Sequence, residues 1–189
     1  MLSDDDFAVL NAIYLKKMAT AGTIAEVTGL AREVVDARLL AASEAGWLLP
    51  MPTGAMLLEG GTEHVLATYR DAYQAVRVDP AVVQWYEHFE ALNTRFIAQV
   101  SEWQQTDGDE RVERKLLQSA ERLVRDIGAL CPKLPRYARY VARVERAMDL
   151  VDQGQRDYVC KPTVDSVHNI WFEFHEDILA VLGRPRDTT

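Results

Sequence analysis

The chain of 189 residues has no apolar run approaching the length of a membrane span, so no transmembrane helix is expected. Its opening, MLSDDDFAVL, is acidic and lacks a cationic segment followed by an apolar one, so no secretory leader is expected. Only two cysteines occur, Cys131 and Cys160, without metal-ligand spacing. They read as free thiols in a reducing cytoplasm, which is the compartment expected. The short signatures of catalysis are missing too. There is no nucleophile elbow, no phosphate-cradling glycine loop and no paired-histidine zinc motif. Gly60-Gly61 is too short for a phosphate loop. The expectation is a protein that is not an enzyme and carries no cofactor.

Positive charge is scarce where a nucleic-acid binder needs it. The whole chain holds 21 Lys and Arg against 29 Asp and Glu, a formal net charge of −8. That acidity argues against tight, nonspecific binding to a polyanion. Residues 1–61 offer Lys16, Lys17, Arg32 and Arg38 against eight carboxylates, a net of −4. Residues 111–161 carry 12 Lys and Arg against seven Asp and Glu, a net of +5.

What is present is an ordinary globular mixture, 48% apolar and 26% charged, in a length that suits one domain or two small ones. Ser3 before three aspartates predicts a helix start, with a capping hydroxyl and carboxylates at the positive end of the dipole. Phe7, Leu10, Ile13 and Tyr14 then recur at helical spacing to about Lys17. TIAEVTG predicts a second helix, with Thr23 and Glu26 as a capping box and Gly29 as its stop. Arg32–Ala45 predicts a third, with an apolar stripe of Val35, Leu39 and Ala42. Trp47–Leu58 then has the outline of a ribbon: apolar run, Pro-Thr-Gly turn, apolar run. Gly60-Gly61 should break the chain, and a fourth helix is expected from Thr62 to about Val76.

Asp79-Pro80 opens the next helix, since Asp caps and Pro suits the first helical position. Its apolar positions are Val82, Trp85, Phe89, Leu92, Phe96 and Trp103, the seam of a bundle helix. After the loop QQTDGDE a charged amphipathic helix should run to Leu130, where CPKLP ends it. Another covers Tyr137 to about Asp152, and QGQRDYVCKP reads as a linker. The final helix, Thr163–Leu182, has a seam of Val164, Val167, Trp171, Phe174, Ile178 and Val181. A second row beside it contains Asp165, His168, Phe172, His175, Leu179 and Leu182. The expected fold is therefore mainly α: a winged helix-turn-helix domain over residues 1–77 and an antiparallel four-helix-bundle-like domain over 78–189.

The stretch TIAEVTGLAREVVDARLLAASEAGWL resembles the sense helix, turn, recognition helix and wing entry of MarR-type winged-helix regulators. MLLEGG after the ribbon departs from the Leu-Thr-x-x-Gly exit common there. The stretches YEHFEALNTRFIAQVSEWQ, RYARYVARVERAMDLVDQG and PTVDSVHNIWFEFHEDILAVLGRPR resemble a helical module of actinobacterial proteins. That module follows a winged helix and is sometimes appended to phosphoenolpyruvate-utilising enzymes of the pyruvate phosphate dikinase type. The resemblance implies a regulatory or accessory role.

Three sets of residues invite a functional reading. On the third helix, Arg32 and Arg38 are the candidates for DNA contact, with Glu33 and Asp36 opposing them nearby. The ribbon between Trp47 and Glu59 has no Lys or Arg. It is expected instead to pack or dimerise through Leu48, Met51, Met56 and Leu58. Arg136, Arg139, Arg143 and Arg146, spaced three, four and three, form one helical stripe. It suits an anion or an acidic partner, but charge rows on helix surfaces are commonplace and a solvated face paired with neighbouring carboxylates is the expectation. Asp165 and His168, with His88 from another helix, are weak metal candidates. His168 and His175, one heptad apart, lie about 10 Å apart along a helix, too far for one metal to bridge. No metal site is expected.

Two functions remain open. One is a transcriptional regulator that binds DNA as a homodimer, its helical domain serving dimerisation or the sensing of a small-molecule effector. The other is an accessory or adaptor protein that uses the winged helix for protein contact, with a phosphoenolpyruvate-utilising enzyme as a possible partner. Membrane association is not expected.

Overall fold

A computed structural model of the chain describes residues 2–106 and 108–185. Among the described residues it is mainly helical, with ten α-helices, one 3-10 turn and one two-stranded antiparallel sheet. No helix among them is long and apolar enough to cross a membrane. The chain divides into two compact units. The first runs to Gln74 and includes the stretch from Glu176 onward; the second is Ala75–His175. The expected division after residue 77 lies close by, but the end of the last helix groups with the first unit instead of the second. Within this first unit, burial first and then the charges of Glu176 and Asp177 raise the Tyr14 phenol pKa.

In the first unit, α1 (Asp4–Lys16) starts as the sequence predicts: the Ser3 hydroxyl accepts from the Asp6 N–H at 3.2 Å. Helix α2 (Ala21–Thr28) starts two residues earlier than expected, because Thr20 replaces Thr23 as the cap. Its Oγ1 accepts from the Thr23 N–H at 3.1 Å, so no Thr23–Glu26 capping box forms. Gly29 ends α2 in the left-handed conformation, as expected. Helix α3 (Arg32–Glu44) turns Val35 and Ala42 inward.

Strands β1 (Leu48–Met51) and β2 (Gly54–Leu57) form the ribbon, in register from Leu48 opposite Leu57 to Met51 opposite Gly54. The Leu58 N–H donates to the Trp47 carbonyl at 2.9 Å. Hydrogen-bonded pairs alternate along an antiparallel ladder, so the next are Leu49 with Met56 and Met51 with Gly54. Leu48 and Pro50 therefore turn their backbone groups to the outer edge. The missing N–H of Pro50 breaks no ladder bond there and blunts that edge. On the far side of β2, Ala55 exchanges two hydrogen bonds with Ala19, at 2.8 and 3.1 Å. The segment between α1 and α2 is thus tied to the ribbon. Gly54 makes this approach possible: a Cβ there would lie 2.7 Å from the Ala19 carbonyl oxygen.

Helix α4 (Glu59–Ala72) corrects another expectation, since it runs through Gly60-Gly61 instead of starting after them. A Cβ on Gly61 would lie 2.2 Å from the Trp47 carbonyl oxygen, so this glycine serves close packing and not chain breakage. The Tyr69 hydroxyl then donates to Asn11 Oδ1 at 2.7 Å, tying α4 to α1 in the core. A single turn, α5 (Gln74–Arg77), follows.

In the second unit, α6 (Pro80–Gln105) begins at the cap expected from the sequence, and α7 (Glu110–Leu130) at one inside the expected loop. Asp79 accepts from the Ala81 N–H at 2.9 Å, and Asp109 from the N–H groups of Arg111 and Val112 at 2.8 and 3.3 Å. A 3-10 turn (Pro135–Tyr137) precedes α8 (Ala138–Asp152), which therefore starts one residue late. Helix α7 packs along both α6 and α8. The expected linker contains a single turn, α9 (Asp157–Cys160). Helix α10 (Val167–Leu182) starts at Val167 and not at Thr163. The buried Ser166 stops it there, its hydroxyl accepting from the Asn169 N–H at 3.3 Å.

The start of α10 is the centre of this unit. The Trp171 ring lies 3.7 Å from that of Phe96 and parallel to within 2°, and its indole N–H donates to Asn93 Oδ1 at 2.9 Å. Phe174 meets Trp85, Phe89, Tyr137 and Tyr140 edge-on. Trp171→Ala is expected to cost about 3–5 kcal/mol in a urea melt, the range for deleting a buried large aromatic. Trp171→Phe keeps the stack, leaves Asn93 without its donor, and should cost about 1–3 kcal/mol. A loss below about 1 kcal/mol for the alanine variant would remove Trp171 from the core.

Candidate functional site

The rotation of α3 is fixed by Val35 and Ala42, so its outward residues fall into two rows. One is Arg32, Asp36, Leu40 and Glu44; the other is Glu33, Ala37 and Ala41, and all seven are exposed. Arg32 Nε reaches both oxygens of Asp36 at 3.0 Å. Arg38 leaves this face and turns to the acidic start of α1, 3.6 Å from Asp6 and 3.8 Å from Asp5. The two candidate DNA contacts are thus not brought together. Arg32 alone shares the outer face, with Glu33, Asp36 and Glu44. Leu40 lies among them at 62% exposure.

Strand alternation sorts the ribbon. Leu49, Met51 and Met56 point outward, while Leu48 and Ala55 are buried. Of the expected apolar contacts, Met51, Met56 and Leu58 are exposed, but Leu48 is 4% exposed and belongs to the core. Leu49 takes its place. Met18 is also exposed, beside the ribbon turn, its sulfur 3.5 Å from the Thr53 hydroxyl. Leu40 falls outside the Val35–Leu39–Ala42 stripe, so helical spacing alone marks it as outward. Met18 has no such signal, because its position follows from the Ala19–Ala55 bridge.

The arginine stripe divides. Arg136 lies in the 3-10 turn, its guanidinium 4.8 Å from the Tyr137 ring centre. Arg139 and Arg146 are exposed on α8. Arg143 points inward. Its Nε and Nη2 donate to Asp165 at 2.9 and 2.7 Å, and Nη2 donates to Glu173 at 2.6 Å. Burial opposes its charge, but the hydrogen bond to Asp165 and the charges of Glu173 and Asp165 outweigh it and hold the guanidinium pKa above its ordinary value. With two carboxylates on it, Arg143 is a clamp between α8, α10 and the turn before α10. It is not a receptor for an outside anion.

The same clamp takes Asp165 out of the weak metal set. His88 is exposed on α6 with Nδ1 2.9 Å from the Gln84 carbonyl. His168 lies beside Phe96, with ring centres 6.4 Å apart. His175 Nε2 lies 3.3 Å from Glu90 and 3.5 Å from the Tyr86 hydroxyl. No group of three His, Cys, Asp or Glu among the described residues has the geometry to hold a metal.

A cleft of about 380 Å³ is lined by Trp103, Gln104, Gly108, Arg156, Asp157, Cys160 and Lys161. Its cations are engaged. Arg156 donates to Glu113 at 2.8 Å and to the Gly108 carbonyl, and Lys161 to Asp157 at 2.6 Å. Burial pushes the Cys160 thiol up to about 11, which removes it as a nucleophile near neutral pH.

Arg143→Ala removes the guanidinium from the buried Glu173 and the part-buried Asp165 and is expected to cost about 3–5 kcal/mol, whereas Arg139→Ala on the same helix should stay within about 0.5 kcal/mol. Equal effects in chemical denaturation would show that Arg143 is no clamp. His168 supplies a pH test. Burial holds its pKa below the ordinary histidine value of 6.5. Below that value the unfolded chain takes up this proton first, so stability falls as pH drops from there to the folded value. His168→Gln should flatten that part of the stability–pH curve, and an unchanged slope would assign it to other groups.

No protein-family model matches this chain, and no curated protein or solved structure matches it.

Proposed function

We propose that the first unit is a winged-helix module used for protein contact, and that the chain is an accessory or adaptor protein. The observation that carries this reading is the character of the outward surfaces. The outer face of α3 sets one arginine among three carboxylates around an exposed leucine, and the outer ribbon presents Leu49, Met51 and Met56 without a charge. The winged-helix assignment is supported by the order of three helices, ribbon and fourth helix. The Ala19–Ala55 bridge supports it further, standing where the short first strand of that fold pairs with the returning strand of the wing.

The Arg32–Asp36 pair is not itself an obstacle to DNA. Both side chains are more than half exposed, and such pairs contribute only about 0–1 kcal/mol, so Arg32 is free to turn to a phosphate. The obstacle is the surroundings. Affinity for a duplex comes from neutralising several phosphates, and this face presents more carboxylates than cations. The second unit is read as an antiparallel bundle built on α6, α7, α8 and α10. The family resemblance makes a phosphoenolpyruvate-utilising enzyme the first partner to try.

A homodimeric DNA-binding regulator is the second reading. The helix-turn-helix order of α2 and α3 favours it, because that arrangement commonly places a helix in the major groove. A duplex titration across a salt series separates the two. The wild-type chain is expected to retain neither a genomic nor a random duplex at about 0.1 M salt. Reversing Glu33 and Asp36 to Lys should create binding that ignores sequence. Sequence-dependent wild-type binding that Arg32→Ala weakens by about 1–3 kcal/mol would establish the regulator instead.

A further inference from the structure

We infer that the outward face of α3 takes an amphipathic helix of a partner protein whose apolar stripe is flanked by Lys and Arg. The inference rests on the protein-contact reading and names the partner's chemistry. Leu40, 62% exposed, stands between Ala37 and Ala41, which are also exposed and whose side chains end at Cβ. The relief around it is low, so a second helix can approach closely and pack its own apolar ridge beside Leu40. Glu33 and Asp36 at one end and Glu44 at the other border that strip. Arg32 is drawn onto Asp36 and neutralises only one of the three. An apolar stripe with an acidic border is complementary to an apolar stripe with a basic border.

Other occupants fit less well. Strand addition at the neighbouring ribbon is poorly served, because Pro50 lacks the N–H an added strand needs and Ala19 already occupies part of the far edge of β2. A second copy of the same face is disfavoured by symmetry. A two-fold contact pairs the face with itself, so with the axis near Leu40 it sets the acidic end at Asp36 against Glu44 of the second copy. A duplex meets the same carboxylates.

The test uses the full chain and two designed amphipathic helices, one of leucine and lysine and one of leucine and glutamate. Binding is read by fluorescence anisotropy and by amide shifts. The lysine peptide is expected to bind at least about tenfold tighter, with shifts centred on Ala37, Leu40 and Ala41. Leu40→Lys and the double reversal Glu33→Lys with Asp36→Lys should each weaken it about tenfold, and adding salt should weaken it further. Glu121→Lys, an exposed change on α7, controls for attraction to the chain's overall negative charge and should leave affinity within about twofold. All of these are surface changes, so circular dichroism should match the wild type.

Three results would overturn the inference: equal binding of both peptides, a Glu121→Lys loss as large as that of the α3 variants, or a self-association abolished by Leu40→Lys. The protein-contact reading fails separately, through sequence-dependent duplex binding. Absence of duplex binding together with no discrimination between the peptides would sink the inference and leave that reading standing.

Discussion

Two backbone hydrogen bonds between Ala19 and Ala55 set the geometry of the first unit. They fix the ribbon to the α1–α2 connection, and they form only because Gly54 has no Cβ. A second close approach, Gly61 against the Trp47 carbonyl, seats α4 at the other end of the ribbon. Between these contacts the alternation of β1 is determined: Leu48 is committed to the core, so Leu49 and Met51 are committed to the surface. The apolar outer ribbon is a consequence of these two backbone approaches as much as of composition. A residue with a side chain at Gly54 or Gly61 has no room unless the ribbon moves.

Local chemistry made much of the fold legible. Ser3 and Asp79 mark helix starts because a cap acts within three residues, and the sequence shows both of them. The sequence is ambiguous where two physical causes leave the same trace. Two adjacent glycines look like a chain break, yet Gly61 is there for packing inside a helix. Thr163 and Val164 continue the apolar period of α10, yet Ser166 caps the helix after them. Thr20 and Thr23 are equally good caps on paper. The choice between them is made by the Ala19 bridge, which holds the preceding residue extended.

The candidate sites were less legible, because their fate depends on partners distant in sequence. Arg143 shares a stripe with Arg139 and Arg146, and nothing local distinguishes it. Its carboxylates come from residues 22 and 30 positions away, and only the packing of α8 against the start of α10 brings them together. Arg38 shares α3 with Arg32, but α1 draws it aside. Leu40 was readable in principle, since residues off the buried stripe of a helix must face outward. An exposed leucine on one helix is ordinary, however. Its acidic setting gives it meaning, and that setting emerges only once the rotation of α3 is known.

The uneven charge of the chain has a structural side that separates the two units. In the basic segment 111–161, several cations hold elements of the second unit together: Lys133 to Asp79, Arg143 to Asp165 and Glu173, Arg156 to Glu113. Lys133 and Arg143 are thus engaged by carboxylates from outside that segment, and of these three cations only Arg143 is largely buried. The first unit has few cations for this purpose. Arg38 neutralises part of the α1 start and Arg32 part of Asp36, and both pairs are well exposed and weak. Val35 and Ala42 seat α3, and its outer face sets three carboxylates against one arginine. A helix held by apolar packing on one side leaves the charge of its other side unspent, and on α3 that charge is negative.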